Sequence, residues 1–122
     1  MRLSNIKSLF DGSLFMKEFR TKIHEEIEQY KSGFKEVGRN IPVFRNEDAE
    51  LNFGENELKI LCIAYIRDEL DEIEVNYIAD ALLLSNRVII ENENIADRLG
   101  YLTDPEINGH LTKNIVQDFL RQ

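Results

Sequence analysis

The stretch LFMKEFRTKIHEEIEQYKSGF, residues 14–34, decides the fold class. Phe15, Phe19, Ile23, Ile27, Tyr30 and Phe34 recur at spacings of four, four, four, three and four, which puts them on one stripe of a helix. Lys17, Glu18, Arg20, Lys22, Glu25, Glu26, Glu28 and Lys31 fill the other faces. Gly33 and Gly38 mark its end, and Ile41-Pro42 cannot continue it. A chain that opens with so regular a stripe is expected to bury it against further helices.

Downstream, the same spacing returns. Residues 38–54 read as a long polar connection containing Asn40, Pro42, Asn46, Asn52 and Gly54; Pro42 argues against a central strand at Ile41 to Phe44. A second helix is expected from Gly54 or Glu55 to about Asp68 or Leu70. Its stripe of Leu58, Leu61, Cys62, Tyr65 and Ile66 is widened by Ile60, Ile63 and Ala64, which suits the central position of a bundle. A third runs from Asp71 or Glu74 through Leu84, with Ile73, Tyr77, Ile78, Ala81 and Leu82 in register. Ser85-Asn86 ends it, and Arg87-Val88-Ile89-Ile90 reads equally as a short extended piece or as the entry to another helix. Ile95 to Leu102 is helical with a break near Gly100. Asp104-Pro105 signals a helix start, Asn108-Gly109 a turn, and Thr112 the cap of a last helix through Ile115, Val116, Phe119 and Leu120. The expected architecture is all-α: one domain over residues 1–122, a compact helical bundle of about five to seven helices with a long loop near 38–54.

Composition narrows the function classes. At 122 residues, 43% hydrophobic and 31% charged, the chain has the make-up of one globular domain. It has no apolar run long enough to span a bilayer, and Met1 to Lys7 lead into no apolar signal region, so the expected address is cytoplasmic. Cys62 is the single cysteine and lies in the apolar run Ile60 to Ala64, so it is expected to be a buried, inert thiol. His24 and His110 stand apart from each other and from Cys62. A structural zinc site needs about four such ligands, so no metal site is expected. The acidic run at 68–74 fails the calcium-loop pattern, because loop position six, which requires glycine, would be Ile73 or Asn76. No phosphate-cradling glycine loop is present, and without tryptophan there is no platform for a sugar-cleaving carboxylate pair. No enzyme, cofactor or small-molecule substrate is expected.

Charge says more about partners. Residues 1–45 hold 9 Lys/Arg against 6 Asp/Glu, whereas residues 46–122 hold 6 against 17, giving +3 and −11 within a total of −8. Ten carboxylates fall within residues 47–74, opposed only by Lys59 and Arg67. Such a field repels nucleic acid and anionic membrane and draws in basic partners. The carboxylates offered to such a partner are Asp68, Glu69, Asp71, Glu72 and Glu74, with Glu47, Asp48 and Glu50 as a second patch. Five of them crowd seven residues without a cation nearby in sequence, which argues for a binding role over a merely solvated face. Tyr65 and Tyr77 would be anchors if exposed, although their helical spacing favours the core.

The stretch Asn76-Tyr77-Ile78-Ala79-Asp80-Ala81-Leu82-Leu83-Leu84-Ser85, followed by Leu102-Thr103-Asp104-Pro105-Glu106-Ile107-Asn108-Gly109 and Leu111-Thr112, resembles the C-terminal half of small acidic bacterial immunity proteins. These are encoded beside polymorphic toxins, including those of contact-dependent growth inhibition systems, and the similarity covers about residues 54–122. It implies a cytoplasmic antitoxin that binds a cognate toxin domain, often a basic nuclease, and blocks it. Its matching positions are core and turn residues, so the interface assignment rests on charge. A different class of function, a helical adaptor or regulatory subunit working through an apolar face, is the alternative.

Overall fold

The acidic run between the second and third expected helices is where local chemistry is clearest. Asp71 Oδ1 accepts from the Glu74 amide at 2.8 Å, and Glu74 Oε1 accepts from the Asp71 amide at 2.9 Å. This reciprocal capping box satisfies two otherwise orphan donors and starts a helix over Glu72–Leu84. A computed structural model describes residues 1–33, 43 and 45–121 of the chain. Phe34, Gly38, Pro42 and most of the 41–44 run discussed above lie outside the described residues.

In chain order the elements are α1 (Leu3–Asp11), α2 (Met16–Gly33), β1 (Leu51–Phe53), α3 (Glu55–Ile66), α4 (Glu72–Leu84), β2 (Val88–Ile90), α5 (Glu93–Tyr101), α6 (Pro105–Asn108) and α7 (Lys113–Leu120). The fold is mostly helical, as the apolar periodicity predicts, with one small parallel sheet. On α2, Phe19, Ile23, Ile27 and Tyr30 are buried. Phe15 is not: it precedes the first helical residue, and its side chain is 74% exposed. A stripe deduced from spacing holds only where the backbone is already helical.

Three features differ from the sequence reading. The long connection is not all loop, because β1 within it pairs in parallel with β2, setting Leu51 opposite Val88, Asn52 opposite Ile89 and Phe53 opposite Ile90. Leu51 and Phe53 are buried and Asn52 exposed, the alternation a strand requires, but three residues are too few for that period to stand out in a sequence. The helices α3 and α4 form the crossover that any parallel pair needs. Second, α4 rather than α3 is the most buried helix, with Val75 through Ala79 all inaccessible, whereas Ile63 on α3 reaches solvent. Third, α5 runs through Gly100 without a break and starts earlier than expected, at Glu93, because Asn92 Oδ1 accepts from the Ile95 amide at 2.9 Å.

The N-terminal helix α1 was not anticipated. It buries Leu3, Ile6 and Leu9, and its C-terminal end is closed by Gly12 at φ 86, a left-handed conformation that glycine adopts without strain. Backbone bonds between Leu3 and Asn46 and between Asn46 and Met1 seat this helix on the residues preceding β1. At the other end of the chain, Pro105 occupies the first position of α6 and Gly109 turns at φ 81, both as expected. Thr112 Oγ1 caps α7 by accepting from the Ile115 amide at 3.2 Å.

Asn76 is fully buried on α4 and joins it to the end of α5. Its side-chain amide donates to the Leu102 carbonyl at 2.7 Å and the Thr103 carbonyl at 2.9 Å. Asn76→Ala would leave two carbonyls without that donor, so a loss of about 2 kcal/mol is expected in urea unfolding at an unchanged denaturant slope. Cys62 is 1% exposed and burial pushes its thiol up to about 12. It should ignore an aromatic disulfide reagent in the native protein near pH ~8 and react within the mixing time in denaturant.

Candidate functional site

The eight carboxylates proposed for a partner fall into two sets once folded. Glu74 is 5% exposed, and its two oxygens accept from Arg20 Nε at 2.7 Å and Nη2 at 2.8 Å across the gap between α2 and α4. That bidentate pair raises the Arg20 pKa through its hydrogen bond and charge. Glu72 is half-buried; one oxygen lies 2.7 Å from His110 Nδ1 and the other accepts from the Leu111 amide at 2.5 Å, so it holds the α6–α7 connection. Asp71 caps α4 although its surface is exposed. Asp68, at φ 61, is exposed and pairs with Lys113 at 2.9 Å. Glu69 is exposed beside it.

The second patch divides in the same way. Glu47 accepts from the Asn86 amide at 2.5 Å and the Arg87 amide at 3.1 Å, which anchors the approach to β2. Asp48 accepts from the Ser4 amide at 2.9 Å and the Ser4 hydroxyl at 2.6 Å, supplying an anion to the first turn of α1. Those bonds hold its carboxyl below the ordinary carboxylate range. Glu50 is exposed. The cations that seemed missing near the 68–74 run are therefore supplied from far away in sequence, by Arg20 and Lys113, while the His110 ring and the Leu111 amide partner Glu72. Crowding of carboxylates is resolved by tertiary pairing, so it cannot by itself signal a binding surface.

Several other candidates are placed by the same contacts. Tyr77 is fully buried, its hydroxyl donating to Glu26 Oε1 at 2.7 Å, and Tyr65 is half-buried, donating to the Leu111 carbonyl at 2.9 Å. Arg98 is 3% exposed, joined to Glu55 and to the Phe119 carbonyl at 2.6 Å, so it braces α3, α5 and α7 from inside. Lys113 on α7 pairs with Asp68 at the surface. Asp80 is pushed up chiefly by burial, against the opposing effect of the Tyr30 hydroxyl 2.6 Å away.

What remains on the surface combines acid with apolar groups that the sequence reading missed. Tyr101 is 55% exposed and stacks on Phe119 with ring centroids 5.9 Å apart, while Ile107 is 81% exposed. Both line an open cleft of about 620 Å³ whose charged wall is Asp97. A larger open groove of about 970 Å³ runs along α2 beneath Glu69, but Lys17, Arg20, Glu25 and Glu69 give it mixed charge.

Among the described residues no group of three or more His, Cys, Asp or Glu is placed to hold a metal ion, and no helix is long and apolar enough to cross a membrane. Compared with protein-family models, with curated proteins and with solved structures, the chain matches none.

The Arg20–Glu74 pair has a measurable signature. Arg20→Ala strands a buried carboxylate and is expected to cost about 2 kcal/mol, the exposed half of the arginine limiting the loss. Adding Glu74→Gln should restore part of it, because glutamine keeps the bond to the Asp71 amide without the charge. Thermal unfolding of the single and double variants checks the order.

Proposed function

We propose that this chain is a non-enzymatic immunity protein, a cytoplasmic antitoxin that binds a cognate toxin domain and neutralises it. The expected partner is basic, and a nuclease fits best, because an enzyme built to hold a polyanion presents the charge that an acidic protein can cover. The observation that carries this reading is the −11 charge of residues 46–122 within a net charge of −8. After internal pairing, Asp68, Glu69, Asp71 and Glu50 still stand at the surface. The immunity-protein resemblance over residues 54–122 supports it independently of charge.

The interface assignment is narrower than the full set of eight. Glu74 is withdrawn into the Arg20 pair, and Glu72, Glu47 and Asp48 are tied to backbone amides. Reversing Asp71 or Glu72 would disturb the start of α4 or the α6–α7 connection, so a loss of binding there would have two causes. Asp68 stands at φ 61 and holds Lys113, so Glu69 and Glu50, both exposed, are the clean choice. The exposed Tyr101 and Ile107 favour a second reading, an adaptor that binds through apolar contact and needs no charge.

Growth rescue tests the proposal directly. The C-terminal domain encoded immediately upstream should kill a host when expressed alone, and co-expression of this chain should restore growth. The Glu50→Lys/Glu69→Lys variant should retain its thermal midpoint and lose about tenfold or more in association rate at low salt, with the difference shrinking as salt rises. A harmless neighbour, or killing that this chain does not relieve, would sink the immunity reading. Binding indifferent to salt and to both substitutions would favour the adaptor.

A further inference from the structure

The small parallel sheet leaves polar backbone unused. In the β1–β2 register the Leu51 amide donates to the Arg87 carbonyl at 3.0 Å and the Glu91 amide donates to the Phe53 carbonyl at 2.9 Å. Parallel pairing alternates, so Arg87, Ile89 and Glu91 turn their backbone groups toward β1 and Val88 and Ile90 turn theirs away. Among the described residues, no backbone hydrogen bond reaches those four outward amides and carbonyls. The outer edge of β1 offers less, only the pair on Asn52. Val88 and Ile90 are partly buried against the core and Ile89 is 50% exposed, so the outer face of the strand reaches solvent.

We propose that the outer edge of β2 accepts an extended, lysine- or arginine-bearing segment of a protein partner as a third strand. Unpaired strand edges recruit extended chain because main-chain bonds supply affinity whatever the side chains. Charge selects the occupant. Glu91 and Glu93 follow the strand and are exposed, Glu50 adjoins the paired strand, and Glu47 sits against the Asn86 and Arg87 amides. Arg87, which directly precedes the strand, donates from Nη1 to the Glu47 carbonyl at 3.1 Å. A second copy of this chain would bring like charge to the same edge, which disfavours self-pairing. The inference deepens the neutralisation reading, on which the identity of the partner rests.

The test uses the isotope-labelled full chain and a short blocked peptide of alternating Val and Lys, with a Val and Glu peptide as control. Amide exchange at Val88 and Ile90 should slow about tenfold with the lysine peptide only, while the Ile89 and Glu91 amides, already in the ladder, change little. Ile90→Pro removes one outward donor and leaves the β1 bonds intact, a substitution edges tolerate. It should weaken the lysine peptide by about tenfold while the Ile89 and Glu91 amides keep their protection, which shows the sheet intact even where the lost Ile90 contacts lower the thermal midpoint. Absence of protection at Val88 and Ile90, equal protection by both peptides, or protection that rises with protein concentration alone would overturn the strand proposal; the last would assign the edge to a second copy. Growth rescue reports separately. Peptide protection without rescue keeps the strand edge and removes the toxin, whereas rescue without peptide protection removes the strand edge and keeps the toxin.

Discussion

Glu74 is a carboxylate inside a protein of net charge −8, and much of the helical packing is arranged around keeping it satisfied. One oxygen closes the capping box that starts α4, and both accept from Arg20 on α2. A buried anion without such partners would cost several kcal/mol, so the helices cannot slide past each other without exposing that penalty. The pair therefore acts as a registration point between α2 and α4. The hydrophobic stripe of α2 makes the two helices stick, but a stripe is tolerant of rotation and translation in a way that a bidentate ion pair is not.

The same device recurs across the acidic half. Glu72 clasps the α6–α7 connection, Glu47 the approach to β2, Asp48 the start of α1, and Glu55 the buried guanidinium of Arg98. In each case a side chain accepts from a group distant in sequence, and in several the donor is a backbone amide at a helix start or strand approach. Part of the chain's charge excess is thus structural. The remaining carboxylates, Glu69 and Glu50 among them, are the ones left to shape an external field, and that field has the sign a basic partner would meet.

Apolar surface is distributed differently from charge. Tyr101 and Ile107 stand out near the α5–α6 junction, and Ile89 projects from the small sheet. A shared feature is short local structure: a four-residue helix in α6 and a three-residue strand in β2. In β2 the strand alternation sets Ile89 on the face opposite Val88 and Ile90, and α6 has no second turn to cover Ile107. Elements this short also leave polar backbone at their margins, which is where a partner finds groups to bond.

The helices α2, α3, α4 and α7 were legible from residues alone, since each repeats apolar side chains at helical spacing for at least two turns and ends at a glycine, a proline or a capping side chain. That Cys62 and Tyr77 belong to the core followed from the same periodicity. What periodicity could not reach was anything set by contacts across the chain. Phe15 falls on the stripe by arithmetic yet lies outside the helix; β1 and β2 exist only because each supplies the other's hydrogen bonds; and α4 becomes the centre because it is covered from several sides. The site divides along the same line. Local sequence determines where carboxylates are concentrated, because charge is a property of composition. Which of them are spent on Arg20, Ser4, Asn86 and Leu111 and which face solvent was decided by tertiary structure, since an ion pair or a distant cap forms only when the fold brings its two halves within about 3 Å.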